Sequence, residues 1–309
     1  ELPRTRRRQR QMCIRDRFAC IDIGSPLGST TDKFHGAAVH PSSDLVVFAP
    51  HSASCVGTFN VTSSTFACID IDVPNPKFAG AAAHPSSDLV VFAPAKAGCV
   101  GTFDASSNTF ACIPTGLPSF SCDAFNGAGL HPSSGLIVFA PYYANCVGMF
   151  DAMTSTFNCT DIIGSMPSAK FIGATVHTSS GLVVFGPATV GGPYGVGVFN
   201  VSSGLLTIID ISDRFSVSSD LFHGVVVDPG LGLVVMAPFG SPCVGIFDVI
   251  TSTFYCTDHF SGIGNRGHKF QGAVVHPSSG TIVFVPYYTN CVGTFSLSLP
   301  SPSSPPPLP

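Results

Sequence analysis

Eight of the twelve cysteines in this 309-residue chain fall in pairs thirteen residues apart: Cys55 and Cys68, Cys99 and Cys112, Cys146 and Cys159, Cys243 and Cys256. Thiols at one repeated spacing can be oxidised to disulfides or can bind a metal. Each pair offers only two sulfur ligands, and no Cys-x-x-Cys supplies the other two of a closed zinc site. At a fifth recurrence of the spacing, Gly195 and Ile208 replace both cysteines together. Joint loss is what a covalent pair predicts, because one remaining thiol would be idle or reactive. Disulfides are therefore expected at all four pairs, and a fifth, Cys20 to Cys291, is expected to join the two ends. Such numbers belong to an oxidising compartment. Apart from Cys13 near the start of the chain, Cys122 is left over, as a free thiol or an intermolecular bridge.

Other residue types offer less. The only glutamate is Glu1, so the body of the chain holds no glutamate acid or base. There is no Gly-x-Ser-x-Gly elbow and no His-Glu-x-x-His. Gly262 to Gly267 matches a dinucleotide fingerprint by letters, but no helical pattern follows it, and the match is read as chance. His40, His84, His131, His177 and His276 recur, with Asp228 in the fifth repeat. Each opens a turn cluster, and the reading is a turn cap rather than a metal ring. No metal site and no cofactor are expected. Asn60 and Asn200 open Asn-x-Thr/Ser sequons at turns and are candidate glycosylation sites; Asp104, Asp151 and Asp248 at the same place argue equally for a turn role.

These residues are carried by a repeat. Its opening phenylalanines are Phe34, Phe78, Phe125, Phe171, Phe222 and Phe270. A period of this length, built of short apolar runs and turn residues, signals a propeller or a solenoid. Each unit divides into four strands. The first ends at His-Pro-Ser-Ser or its equivalent. The second, such as Leu45 to Phe48, is apolar on both faces and stops at Ala-Pro, since proline cannot extend a ladder. The third and fourth form a hairpin. A turn over Asn60-Val61-Thr62-Ser63 would set Cys55 opposite Cys68 and Gly57 opposite Phe66. The expected fold is all-β, a six-bladed propeller of four-stranded blades. The sixth repeat lacks its fourth strand, and residues 18–23 supply a matching one. Their pairing beside Phe295 would close the ring and protect an open edge.

Three segments follow. Residues 1–17 carry seven of the fourteen basic residues, and Arg-Gln-Met-Cys-Ile-Arg-Asp-Arg resembles translated sequencing adapter. They are read as non-native or as a basic arm outside the fold. Residues 18–295 form the propeller, and 296–309 a Ser/Pro-rich tail or linker with polyproline character. After position 17, seven basic residues stand against 16 aspartates, a net of −9. That body offers no electrostatic footprint for nucleic acid. No run is long enough to span a bilayer as a helix, and a monomer is expected.

Residues 36–48, Gly-Ala-Ala-Val-His-Pro-Ser-Ser-Asp-Leu-Val-Val-Phe, resemble NHL and gluconolactonase-type propeller repeats. Residues 56–66, Val-Gly-Thr-Phe-Asn-Val-Thr-Ser-Ser-Thr-Phe, are similar to the second half of a YVTN repeat. The resemblance covers residues 18–295 and implies the propeller fold. Gluconolactonase-like enzymes hold a divalent metal at the channel mouth on a glutamate and other oxygen ligands, a set this chain does not reproduce.

Function is sought where the repeat varies. Between the fixed Phe and Gly of each first strand stand His35, Ala79, Asn126, Ile172, His223 and Gln271. In a propeller this position lies at the mouth of the central channel. Loops after the second strand add His51, Tyr142, Tyr143, Tyr194, Phe239, Tyr287 and Tyr288. Aromatic rings mixed with amide and imidazole groups suit a protein or glycan partner. The expectation is a secreted or cell-surface binding module using His35, Asn126, His223, Gln271 and the five tyrosines. The alternatives are a gluconolactonase-like hydrolase or lyase with an atypical site, and a structural wall or matrix protein.

Overall fold

Leu-Val-Val-Phe-Ala-Pro, at Leu45–Pro50, forms the second strand of a sheet ordered Phe34–Val39, Leu45–Pro50, Cys55–Asn60, Thr65–Asp70. In this computed structural model the described residues are 32–73, 77–118, 122–162, 169–188, 195–215, 221–257, 268–276, 279–286 and 292–297. Four more sheets repeat that order, opening at Phe78, Phe125, Phe171 and Phe222, and the last comprises Phe270–Val275, Ile282–Pro286 and Gly293–Phe295. All neighbours within a blade are antiparallel. The fold is an all-β, six-bladed propeller. Residues 18–23 and Cys291 lie outside the described residues, so the ring-closing strand and the Cys20–Cys291 bridge are not described.

The core lies between blades. Val47, Ala49 and Val56 of blade 1 pack with Phe78, Phe92 and Phe103 of blade 2. The same arrangement joins blades 2 and 3, 3 and 4, 4 and 5, and 5 and 6. Phe78, Phe125, Phe222 and Phe270 are fully buried and Phe171 is 1% exposed, each contributing roughly 1.5–3 kcal/mol. Phe34 of blade 1 is only partly buried and packs within its own blade.

Each first strand is irregular near its start. The register between first and second strands shifts between Phe34 and Ala37, and at the same place in the other five blades. The glycine there always has positive φ, from 87° at Gly173 to 120° at Gly80. A Cβ on Gly36, Gly80, Gly127, Gly173 or Gly224 would lie 2.6–2.9 Å from the next blade's glycine Cα. Only glycine fits this close stacking around the channel, and the bulge it permits re-aims the residue before it.

The outer hairpin corrects one expectation. Cys55 pairs with Asp70, Gly57 with Cys68 and Phe59 with Phe66, a register two residues away from the one expected. The loop is Val61–Ser64, because Asn60 Oδ1 accepts the Ser63 N–H and Ser64 turns left-handed at φ 54°. Cys55 and Cys68 thus sit diagonally, yet the twisted strand pair brings their Cα atoms to 5.4 Å. They are bridged, as are Cys99–Cys112, Cys146–Cys159 and Cys243–Cys256. Gly57 does make room for Phe66, but its nearer neighbour is Phe34. In blade 4, Ile208 Cγ2 occupies the place where a Cβ on residue 195 would stand, so the isoleucine fills the space left by the lost bridge.

Candidate functional site

The bulged position and the residue after the second-strand proline are sixteen apart in every blade: His35/His51, Ala79/Ala95, Asn126/Tyr142, Ile172/Ala188, His223/Phe239, Gln271/Tyr287. Backbone hydrogen bonds of 2.8–3.0 Å carry these loops from blade to blade. His51 N donates to Lys33 O and Lys77 N to His51 O; Ala95 N donates to Lys77 O and Ala124 N to Ala95 O. The pattern continues through Tyr142, Lys170 and Ala188, and again through Leu221, Phe239 and Lys269. The channel mouth is thus a rigid rim whose side chains are free to differ. At these two positions blades 2 and 4 carry only alanine and isoleucine, and the polar and aromatic residues belong to blades 1, 3, 5 and 6.

Blades 6 and 1 meet at His35, whose Nε2 lies 2.9 Å from Gln271 Nε2. The His35 ring stands edge-on to His51, with centroids 5.5 Å apart. Asp123 precedes the first strand of blade 3, and its Oδ2 lies 3.7 Å from His51 Nε2 of blade 1. Burial, reinforced by the neighbouring His51, lowers the His35 pKa, with Asp123 and Asp32 opposing.

Blade 5 supplies a second imidazole. His223, 8% exposed, lies flat on Phe239 with centroids 3.6 Å apart, and Phe239 stacks in turn on His268 at 4.4 Å. Burial, with His35 and His268 nearby, lowers the His223 pKa to about 3, so the ring is neutral at ordinary pH. Asn126 is 7% exposed, and Tyr142 stands edge-on to Tyr143 at 4.9 Å. Among the described residues, the buried side-chain atoms without a hydrogen-bond partner are the ring nitrogens of His51 and His223. Both residues are at the mouth, and imidazole nitrogens there can donate to, accept from or ligate an incoming group.

Of the residues expected at the mouth, His35, Asn126, His223, Gln271, Tyr142 and Tyr143 are found on the rim. Tyr194, Tyr287 and Tyr288 lie outside the described residues. Asp123 and His268 were not anticipated; each stands two residues before a repeat-opening phenylalanine, a position that varies among Asp32, Pro76, Asp123, Ala169, Asp220 and His268. The buried lysines were also missed. Lys77 Nζ donates to Ala53 O at 2.8 Å and Lys269 Nζ to Ser241 O at 2.9 Å, each tying down the preceding blade's rim loop. Lys170 Nζ stands 3.4 Å from Asn145 Oδ1. Burial lowers the pKa of all three. Their signal was available: Lys33, Lys77, Lys170 and Lys269 each precede a repeat-opening phenylalanine.

The opposite face is structural. Nδ1 of His40, His84, His131, His177 and His276 lies 2.7–2.9 Å from a serine hydroxyl three residues on. The Nε2 atoms of His40 and His131 lie 2.9 Å from carbonyls of the next blade, Asp88 O and Gly181 O. Asp228 accepts from the Gly230 and Leu231 amides instead. These are turn caps that also link blades. Asn60 and Asn200 are on the same side, each accepting amides within its turn. Cys122 is unbridged and partly buried.

No protein-family model and no curated protein matches this chain. Solved structures do match in fold. Virginiamycin B lyase from Staphylococcus aureus, in a catalytically inactive histidine-to-alanine variant with quinupristin, aligns at a TM-score of 0.68 and 14% identity, over 88% of this chain and 83% of that one. The extracellular domain of a two-component system from B. thetaiotaomicron aligns at 0.61 and 10% identity, over 84% of this chain and 32% of that one. An auxiliary nutrient binding protein from Bacteroides ovatus aligns at 0.58 and 12% identity, over 82% and 66%. At these identities the likeness is one of fold, and this chain shares the propeller architecture with all three.

Proposed function

We propose that this protein is an extracellular, disulfide-stapled binding module that takes an uncharged, hydroxyl-rich partner, a glycan, at the mouth of its channel. The observation that carries the reading is the placement of His51 and His223. Both hold buried, unpaired ring nitrogens on the varied rim of an otherwise repetitive protein. A polar group buried without a partner costs roughly 1–3 kcal/mol, and an incoming hydroxyl would recover it. Asn126 adds an amide, and the partly exposed Tyr142 adds aromatic surface suited to the apolar face of a sugar ring. Four disulfides support the extracellular placement. The test is a panel of soluble neutral oligosaccharides, read by calorimetry. Binding weakened by Asn126→Ala and His223→Ala, but not by Asn60→Gln on the opposite face, supports the reading. Binding that ignores the rim variants defeats it.

A lyase or hydrolase is the second reading. Its support is the fold shared with virginiamycin B lyase, whose histidine-to-alanine variant is described as catalytically inactive, together with imidazoles at this chain's own mouth. Turnover of lactones, phosphotriesters or quinupristin that is lost in His35→Ala and His223→Ala would replace the binding reading.

A further inference from the structure

We propose that the channel mouth also holds a divalent transition-metal ion, of the zinc and iron class, on His35, His51 and Asp123. The inference shares the unpaired His51 nitrogens with the glycan reading but requires no glycan. One donor atom from each of the three residues lies within 4.8 Å of the other two. They arrive from three separated stretches: the bulge of blade 1, its rim loop, and the loop entering blade 3. At 3.7 Å, His51 Nε2 and Asp123 Oδ2 are too far apart for a hydrogen bond. They are close to the separation of about 3.3 Å that two tetrahedral ligands keep when each metal bond is about 2.0–2.1 Å.

The surroundings favour an ion over a plain contact. Neither ring nitrogen of His51 has a hydrogen-bond partner, although both are buried. A metal would satisfy one of them and would also engage the carboxylate beside it. Gln271 holds the His35 ring through Nε2. A side-chain amide can present its oxygen or its nitrogen there, so it can take the N–H of a metal-binding imidazole, the outer contact such ligands usually make. The donor set selects the ion class. Two imidazoles and one carboxylate suit zinc or iron, whereas calcium and magnesium prefer oxygen alone. Three protein ligands leave a position open to water or to a bound group. His51 and Asp123 side chains are 16% and 18% exposed, so an ion can enter.

The experiment uses the oxidised full chain stripped by a chelator. Cobalt is titrated with its visible absorption as readout, and zinc by calorimetry. The expected result is one zinc per chain, displacing cobalt. Gln271→Ala should weaken zinc binding about 10- to 100-fold, the usual cost of losing an outer contact. His51→Ala and Asp123→Asn should each weaken it further, with circular dichroism unchanged. Cys122→Ser and His131→Ala, which remove other thiol and imidazole donors, should leave it intact. Absence of stoichiometric binding overturns the proposal. So does zinc binding that survives both His51→Ala and Asp123→Asn, or binding of calcium or magnesium as tight as that of zinc.

Discussion

His223 lies face to face with Phe239, the two planes 8° apart, while neither of its ring nitrogens makes a hydrogen bond. The imidazole is held as an aromatic disc, and its polar atoms contribute nothing to the folded protein. His223→Phe is therefore expected to leave the thermal midpoint unchanged or to raise it, because it removes two unpaired buried polar atoms while keeping the stack. The same variant should weaken glycan binding at the mouth. A midpoint several degrees lower would show that the nitrogens are satisfied in solution.

Lys77 makes the opposite case. Its side chain is 1% exposed and its ammonium donates to Ala53 O, across the boundary between blades 1 and 2. Lys77→Met keeps most of the volume but leaves that carbonyl without its donor. A loss of about 1–3 kcal/mol is expected in denaturant unfolding. An unchanged unfolding free energy would mean that the rim loop finds another donor.

Blade 4 offers a gain. Gly195 and Ile208 occupy the positions that carry bridged cysteines in four other blades. Gly195→Cys with Ile208→Cys should form a fifth hairpin disulfide, detectable by non-reducing peptide mapping. Closing so short a loop adds roughly 3 kcal/mol by the chain-entropy account, offset in part by the lost isoleucine packing. Gly195→Ala alone should destabilise, since its Cβ would meet Ile208 Cγ2.

The turn aspartates carry a pH signature. Hydrogen bonds from Ser106 and Ser107, chiefly from the Ser106 side chain, lower the Asp104 pKa from 3.8 to about 2. The folded value lies below the unfolded one. The contribution to stability is thus complete above about pH 4 and is lost as pH falls through about 2. Carboxyl NMR should give a midpoint near 2 for Asp104, moving upward in Ser106→Ala. The group is exposed and screened by solvent, so the effect on overall stability is small. Asp104→Asn should preserve the turn, as Asn60 and Asn200 already do at the same place.

The thirteen-residue cysteine spacing was enough to name four disulfides, but not to set their register. The spacing is preserved whether the loop is read as Asn60–Ser63 or as Val61–Ser64. What decides is Ser64, which adopts a left-handed conformation that its residue type does not announce. The repeat likewise exposed the variable mouth position, because the fixed Phe and Gly on either side frame it. It did not expose the role of Asp123, which shares its place two residues before the repeat-opening phenylalanine with Asp32 and Asp220 but meets His51 only across blade 2, or the clamping role of the lysines, whose partners lie in the preceding blade.

Read alone, the sequence determined which strands pair, the blade count and four hairpin staples. These rest on local periodicity, turn chemistry and short loops, and every repeat states them again. Only the tertiary structure decided which unlike residues face one another at the mouth. His35, His51 and Asp123 converge because glycine stacking draws the inner strands of successive blades together around the channel. That convergence depends on packing around the whole ring rather than on spacing along the chain, and no local pattern encodes it.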